Sequence, residues 1–279
     1  MSVRALVLTG NGTNCEREMA HACQLAGAEA TIAHTAEVFA GRVRLADYDF
    51  LNLPGGFLDG DDLGSAKAGA VRFKFGTVAG RSDPGTAGEG DRHRFLEDLL
   101  RFVADGKLVL GVCNGFQLLV KLGLLPALDG RYGEQTASLT HNDSGRFEDR
   151  WCYLTASPDS PCVFTRGISR LYLPVRHGEG KFVPGNHDVL RRVEAEALAS
   201  VRYAEADGEP TLRYPENPNG SIGAIAGLCD PTGRIFGLMP HPEAFVHRTQ
   251  HPRWTREDLP EEGDGLALFR NAVEFLRRG

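Results

Sequence analysis

"KLVLGVCNGFQLLVKLG" (107–123) decides the fold. Leu108, Val109, Leu110 and Val112 make an apolar run of strand length. Residues 114–123 then carry apolar side chains at helical spacing, with Gly123 as the stop. A single residue, Cys113, separates the two. Gly111 and Gly115 remove side chains where the turn is tightest and where the helix must approach the sheet. The first N–H groups of such a helix have no intrahelical acceptor, and its dipole is positive at that end. Both effects favour a thiolate. This is the geometry of a nucleophile elbow, with Cys in place of Ser. The plainer reading is a small apolar residue filling a strand end, which is the commoner meaning of a lone cysteine.

Working outward, "VRALVLT" (3–9) reads as a buried strand. Thr13 and Glu16 have the spacing of a capping box. Cys15, Met19, Ala22, Cys23 and Ala26 then share one helical face, and Gly27 ends the helix. "ATIAH" (30–34) and "YDFLNLPGG" (48–56) are two further strands, the latter ending in a turn. Strand, helix and strand with short connections predict a parallel sheet with helices on its faces. Residues 76–92 are rich in Gly, Ser, Asp and Pro and predict a flexible surface loop. "FLEDLLRFVADG" (95–106) is an amphipathic helix. Later strands are expected at 151–155, 171–175, 188–193, 199–203, 222–228 and 234–239, with a last helix at 264–278. The expected fold is a flavodoxin-like α/β domain spanning 1–279. Its sheet is open and mostly parallel, with helices on both faces and antiparallel additions.

The chain has 279 residues, 42% hydrophobic and 24% charged, which suits one large α/β domain. A net charge of −6 argues against a general nucleic-acid binder. No apolar run approaches the roughly 18 residues that span a bilayer. The opening residues enter a strand directly, without a signal pattern. These features predict a cytoplasmic protein with no nucleic-acid or membrane partner. The six cysteines contain no C-x-x-C pair, so no structural metal is expected and none is assigned.

Two further stretches carry chemistry. In "GLMPHPEAF" (237–245), His241 and Glu243 are two apart, which puts both on one face of an extended chain. Pro240 and Pro242 keep the segment out of a helix. A carboxylate beside an imidazole fixes its tautomer and stabilises its charged form. With the Cys113 elbow, this suggests a Cys-His-Glu triad. In "LNLPGGF" (51–57), a strand running into Pro-Gly-Gly leaves bare N–H groups at Gly55 and Gly56. Together with the amide of Asn114, these can hold an oxyanion. Two weaker matches fail. "GNGTNC" (10–15) has Cys15 where a dinucleotide fingerprint needs Gly, and "DGDDLG" (59–64) lacks ligands of a calcium loop.

"LPGGF", "GVCNGFQLL", "HNDSGRFEDRW", "HGEGKF", "YPENPNGS" and "MPHPE" occur in this order. The set resembles the class I, triad-type glutamine amidotransferases. Among these it is most similar to the glutaminase subunit of phosphoribosylformylglycinamidine synthase, over nearly the whole chain. The resemblance implies that Cys113 attacks the glutamine amide, His241 moves the proton and Glu243 orients His241. It implies backbone stabilisation at Gly56 and Asn114, and substrate contacts from Gln117 and from the "HGEG" segment, including His177 and Gly178. Ammonia would pass to a large synthetase subunit that holds ATP and Mg2+, with a third small subunit as a further partner. This subunit itself would carry no cofactor. After "PGGF" the family commonly continues Ser-Tyr-Gly-Asp, where this chain reads Leu58-Asp59-Gly60-Asp61. "HNDSGRFEDRW" and "NPNGS" read as surface loops facing a partner and receive no chemistry.

Two rival readings use the same elbow. One is a non-catalytic redox regulator or chaperone of flavodoxin-like fold, which has no need of an H-x-E pair. The other is a Cys peptidase, for which the sequence offers no peptide groove.

Overall fold

A computed structural model of the chain describes residues 2–79 and 93–278. The first strand, β1 (Val3–Thr9), leads through α1 (Glu16–Leu25) to β2 (Ala28–His34). These strands pair in parallel from Val3↔Ala28 to Thr9↔His34. After α2 (Thr35–Phe39) the chain returns on the other side of β1 as β3 (Phe50–Leu53). Next come α3 (Lys67–Phe75), a ribbon of β4 (Thr77–Val78) with β5 (His93–Arg94), and α4 (Phe95–Ala104). They precede β6 (Leu108–Val112), which pairs in parallel with β3, and α5 (Asn114–Lys121). The second half supplies β7 (Ala137–Thr140), β8 (Glu148–Ala156), β9 (Arg170–His177), β10 (Lys181–Pro184) and α6 (His187–Ala195). It closes with β11 (Val201–Ala204), β12 (Ile225–Cys229), β13 (Ile235–Leu238) and α7 (Leu266–Arg278).

Among the described residues nine strands form one sheet, in the order β2-β1-β3-β6-β13-β12-β11-β8-β9. The first five run parallel, and the last four continue the sheet antiparallel. This is the expected α/β sheet with antiparallel additions. α1 packs on α7, while α3 packs on α4 and α5. The β1-to-β2 and β3-to-β6 crossovers run in opposite directions, so right-handed connections put these two helix groups on opposite faces. Sequence periodicity becomes burial: Phe95, Leu99, Phe102 and Val103 line the inner face of α4, and every residue of β6 is buried. Each such fully buried side chain contributes about 1.5–3 kcal/mol.

Chain direction across the sheet reverses at β1, between β2 and β3. Open α/β sheets bind ligands at the carboxyl ends of strands beside such a reversal. The loops after β1, β3, β6 and β13 all leave from that edge.

Four local expectations change. Residues 188–193 belong to helix α6, not to a strand. Asn186 caps it, with Oδ1 accepting from Val189 N at 3.0 Å, and Val189 and Val193 bury one helical face. The β-branched residues there mimic a strand. The Thr13–Glu16 capping box does not form. α1 starts from Cys15 in the left-handed region, because Gly12 and Asn14 are drawn into backbone bonds with Phe57 and Gly55. In the proposed loop 76–92, Thr77 and Val78 form β4, and residues 80–92 lie outside the described residues. Strands β7 and β10 and helices α2 and α3 were not anticipated from the sequence.

Candidate active site

Cys113 sits between β6 and α5 with φ 52° and ψ −107°. Few non-glycine residues adopt this region, and such strain persists only where surrounding structure imposes it. Here α5 lies directly on the sheet. A Cβ at Gly115 would stand 2.0 Å from Leu53 O, and one at Gly111 would stand 2.6 Å from Gly115 O. Side chains at either position would push the helix off, so the elbow depends on both glycines. Cys113 N donates to Leu238 O at 2.8 Å, which ties the elbow to the end of β13. Three residues beyond Leu238 the same strand end delivers His241.

His241 and Glu243 are buried, with His241 Nδ1 2.6 Å from Glu243 Oε1. His241 N donates to Pro174 O at 2.8 Å, so its backbone is held as well. Burial works against a charged imidazole at this position. The Glu243 carboxylate and contacts with Cys113 and Cys15 outweigh it and hold the His241 pKa well above the usual histidine range. The Cys113 thiol rests on Arg176 O at 3.6 Å, and among the described residues His241 Nε2 has no hydrogen-bond partner. A Cβ built on Gly55 would lie 2.8 Å from His241 Cε1 and 3.3 Å from the Cys113 Cβ. Thiol and imidazole therefore face each other across a gap that only glycine leaves open.

Gly55 and Gly56 end the β3 turn where it meets the loop after β1. Asn14 N donates to Gly55 O at 2.8 Å, and Phe57 N donates to Gly12 O at 2.7 Å. Gly56 has φ +126°, and a Cβ there would stand 2.5 Å from Asn14 N. Among the described residues the Gly56 N–H donates to no protein acceptor, and the Asn114 N–H opens α5 without one. Both remain available to an oxyanion beside Cys113.

Cys113, His241 and Gly56 line a cavity of about 250 Å³ that also receives Gln117, Gly178 and Glu179. Gln117 is locked: Asn114 Nδ2 donates to its Oε1 at 3.0 Å, and its Nε2 donates to Glu179 O at 2.5 Å. Asn114 also donates to Asp61 Oδ2 at 3.0 Å and accepts from Leu58 N, which joins the elbow to the 58–66 loop. His177 walls the cavity with both ring nitrogens engaged, Nδ1 with Asn142 at 3.1 Å and Nε2 with Asn219 at 3.5 Å. Burial, and then the His241 charge, push its pKa down to about 3. It is neutral near pH 7.

The "HNDSGRFEDRW" segment is the surface loop the sequence suggested at His141, Asp143, Gly145, Arg146 and Phe147, which are exposed, but its Asn142 and most of "NPNGS" are not. Asn142, Asn217, Asn219 and Ser221 are all buried. Asn142 Oδ1 accepts from Gly180 N, its Nδ2 donates to His177 O, and Ser221 Oγ accepts from Phe182 N. They frame the "HGEG" turn from behind. Sequence reasoning also missed Cys15, Asp61, Ser65 and Arg176, which border the cavity. Loop residues without a repeat or pairing pattern give no signal of such convergence.

Residues 2–276 match the family of CobB/CobQ-like glutamine amidotransferase domains. The chain is 46% identical over 280 residues to phosphoribosylformylglycinamidine synthase subunit PurQ of Dehalococcoides mccartyi, covering 99% of this chain and 98% of that protein. It is 40% identical to the subunit of the same name from Methanococcus maripaludis, covering 99% and 98%. The chain belongs to the PurQ family of glutamine amidotransferases. A chain of the PurLQS structure from Thermotoga maritima superposes with a TM-score of 0.69 at 26% identity, covering 99% of this PurQ-family chain and all of its counterpart. In a PurQ-family chain, the elbow, the buried His–Glu pair and the cavity between them are the groups suited to acyl transfer from an amide.

Proposed function

We propose that Cys113 is the nucleophile, His241 the proton carrier and Glu243 its orienting partner in hydrolysis of the glutamine side-chain amide. The thiolate attacks the amide carbon. The carbon–nitrogen bond breaks as His241 gives its proton to the leaving ammonia. Water then hydrolyses the γ-glutamyl thioester to glutamate and restores the thiol. The Gly56 and Asn114 amides receive the oxyanion, with Gly55 leaving room for His241. Gln117, Gly178 and the wall made by His177 enclose the substrate. The observation that carries this reading is the strained Cys113 elbow facing an otherwise unpartnered His241 Nε2, whose other nitrogen is on Glu243.

The chain is the glutaminase component of phosphoribosylformylglycinamidine synthase. It supplies ammonia for conversion of formylglycinamide ribonucleotide to the amidine in purine biosynthesis. Its relatives carry that synthase's name, which gives the alternative of a redox regulator no support. Its partners are glutamine, the large synthetase subunit and a small third subunit, in line with the three-part PurLQS assembly of Thermotoga maritima. ATP and Mg2+ belong in this reading to the synthetase. Among the described residues no helix is long and apolar enough to cross a membrane. The cytoplasmic assignment is supported by the biosynthetic role and by six cysteines that are all free thiols.

The test is glutamate release from glutamine by the purified chain, alone and with the matching synthetase, its nucleotide substrate and ATP. Release that rises on assembly is expected. A folded chain that releases none in the complete system would overturn the assignment.

A further inference from the structure

Beside the triad lies a second thiol that the glutaminase reaction does not use. Cys15 stands at the start of α1 in a left-handed conformation that turns it toward the cavity. One donor atom each from Cys15, His241 and Glu243 lie within 4.8 Å of one another. Among the described residues, buried Glu243 Oε2 has no hydrogen-bond partner, and neither has His241 Nε2. Catalysis accounts for Nε2, which faces the Cys113 thiol. It does not account for Oε2, an enclosed acceptor left without a donor. Leaving such a group unpaired costs about 1–3 kcal/mol, or more when charged.

We propose that Cys15, His241 and Glu243 form a binding site for a thiophilic divalent cation of the Zn2+ class. Thiolate, imidazole and carboxylate are the three ligand types that zinc accepts, and three protein ligands plus a water are a common set. Donors around a tetrahedral zinc stand roughly 3.4–3.6 Å apart, from bond lengths of about 2.0–2.3 Å. To meet this, the 2.6 Å contact of His241 Nδ1 with Glu243 Oε1 must open and the 4.8 Å spread must close, each by about 1 Å. Cys15 and His241 line the cavity, which gives the ion an entry path and the fourth, water position, while Glu243 lies behind them. Charge closes as well: the ion takes the place of the Cys15 thiol proton and the proton shared by His241 and Glu243. Both protons leave to solvent, and a neutral site remains. Cys113 is not among the ligands: the donor atoms that gather within 4.8 Å are those of Cys15, His241 and Glu243.

An ion there occupies His241 and Glu243, so it stops glutamine hydrolysis while bound. That consequence rests on the reading of His241 as the proton carrier; the binding itself does not. The experiment therefore reads binding without turnover. Co2+ is titrated into the reduced, full-length chain, and the thiolate-to-cobalt charge-transfer absorption in the near ultraviolet is followed.

The expected result is a band that saturates at one Co2+ per chain and is displaced by Zn2+. It should persist in Cys113→Ser. In Cys15→Ala and Cys15→Ser it should be lost, with Co2+ affinity at least 100-fold weaker, since removing a ligand exceeds the 10–100-fold typical of an outer-shell change. Glu243→Gln should weaken binding at least tenfold. Circular dichroism checks that each variant is folded, and either Cys15 variant suffices. No saturable band, a band that survives both Cys15 variants, or one lost with Cys113 would overturn the site. Loss of glutaminase activity in the native chain would leave these readings untouched.

Discussion

His241 Nδ1 lies 2.6 Å from Glu243 Oε1, with the two side chains 4% and 0% exposed. A pair so enclosed is weakly screened by solvent, and removing one partner strands the other. The His241 pKa is held well above its unfolded value near 6.5. Between those two values the folded chain binds a proton that the unfolded chain has released. The stabilisation is therefore complete below about pH 6.5 and is lost as pH rises through the folded pKa. Glu243→Gln should lower the melting temperature at pH 6 more than at a pH above the folded value. It should also flatten the fall in stability with rising pH. Thermal melts across pH check this, and an unchanged slope would contradict the ion pair. Turnover in Glu243→Gln should fall by about two to four orders of magnitude.

Cys113 and His241 act on the same proton, so their losses should not add. Cys113→Ser and His241→Asn should each remove nearly all glutamine hydrolysis, at least about 10⁴-fold, and the double variant should be no worse than either. Circular dichroism should show each folded. Substantial activity in Cys113→Ser would move the nucleophile elsewhere.

Two glycines should fail in different ways. Gly55→Ala places a methyl 2.8 Å from His241 Cε1, in the site. Its loss should be in kcat, about 100-fold or more, with stability changed by under about 1 kcal/mol. Gly115→Ala places a methyl 2.0 Å from Leu53 O, between helix and sheet. Its loss should be in folding, about 3 kcal/mol or more, because a backbone contact cannot give way. Urea unfolding and steady-state kinetics on both variants separate the two.

Asn142 makes four hydrogen bonds to the "HGEG" turn and its own loop. Asn142→Ala should destabilise by about 2–3 kcal/mol, through buried groups left unpaired. The cavity wall of His177 and Gly178 should shift with it. KM for glutamine should therefore rise more than kcat falls. A variant with unchanged KM would show that this frame supports only folding.

What could be read from the sequence was what has a local cause. The Cys113 elbow follows from an apolar run, two glycines and a helical spacing within 17 residues. The His241–Glu243 pair follows from period-two alternation held extended by prolines. Helix α6 was misread because Val189 and Val193 satisfy both a strand and a helix, and only the Asn186 cap decides. Cys15 looked like a core position of α1. Its place in the cavity depends on Asn14 N binding Gly55 O, some 40 residues away in the chain. The buried asparagines at 142, 217 and 219 looked like loop residues, since polar side chains signal burial only through their partners. For Asn142 and Asn219 those partners come from β9, the turn after it and β11, while Asn217 closes its own loop on Ser221.

The central claim is that glutamine passes through a covalent bond to Cys113. The most direct measurement is acid quenching of the assembled synthase during turnover with isotope-labelled glutamine, followed by peptide mass spectrometry. The account predicts a labelled glutamyl group on the peptide that contains Cys113, absent in Cys113→Ser and accumulating when His241 is replaced only if attack still occurs. Label confined to another residue, or steady glutamate release with no label on the chain, would contradict it.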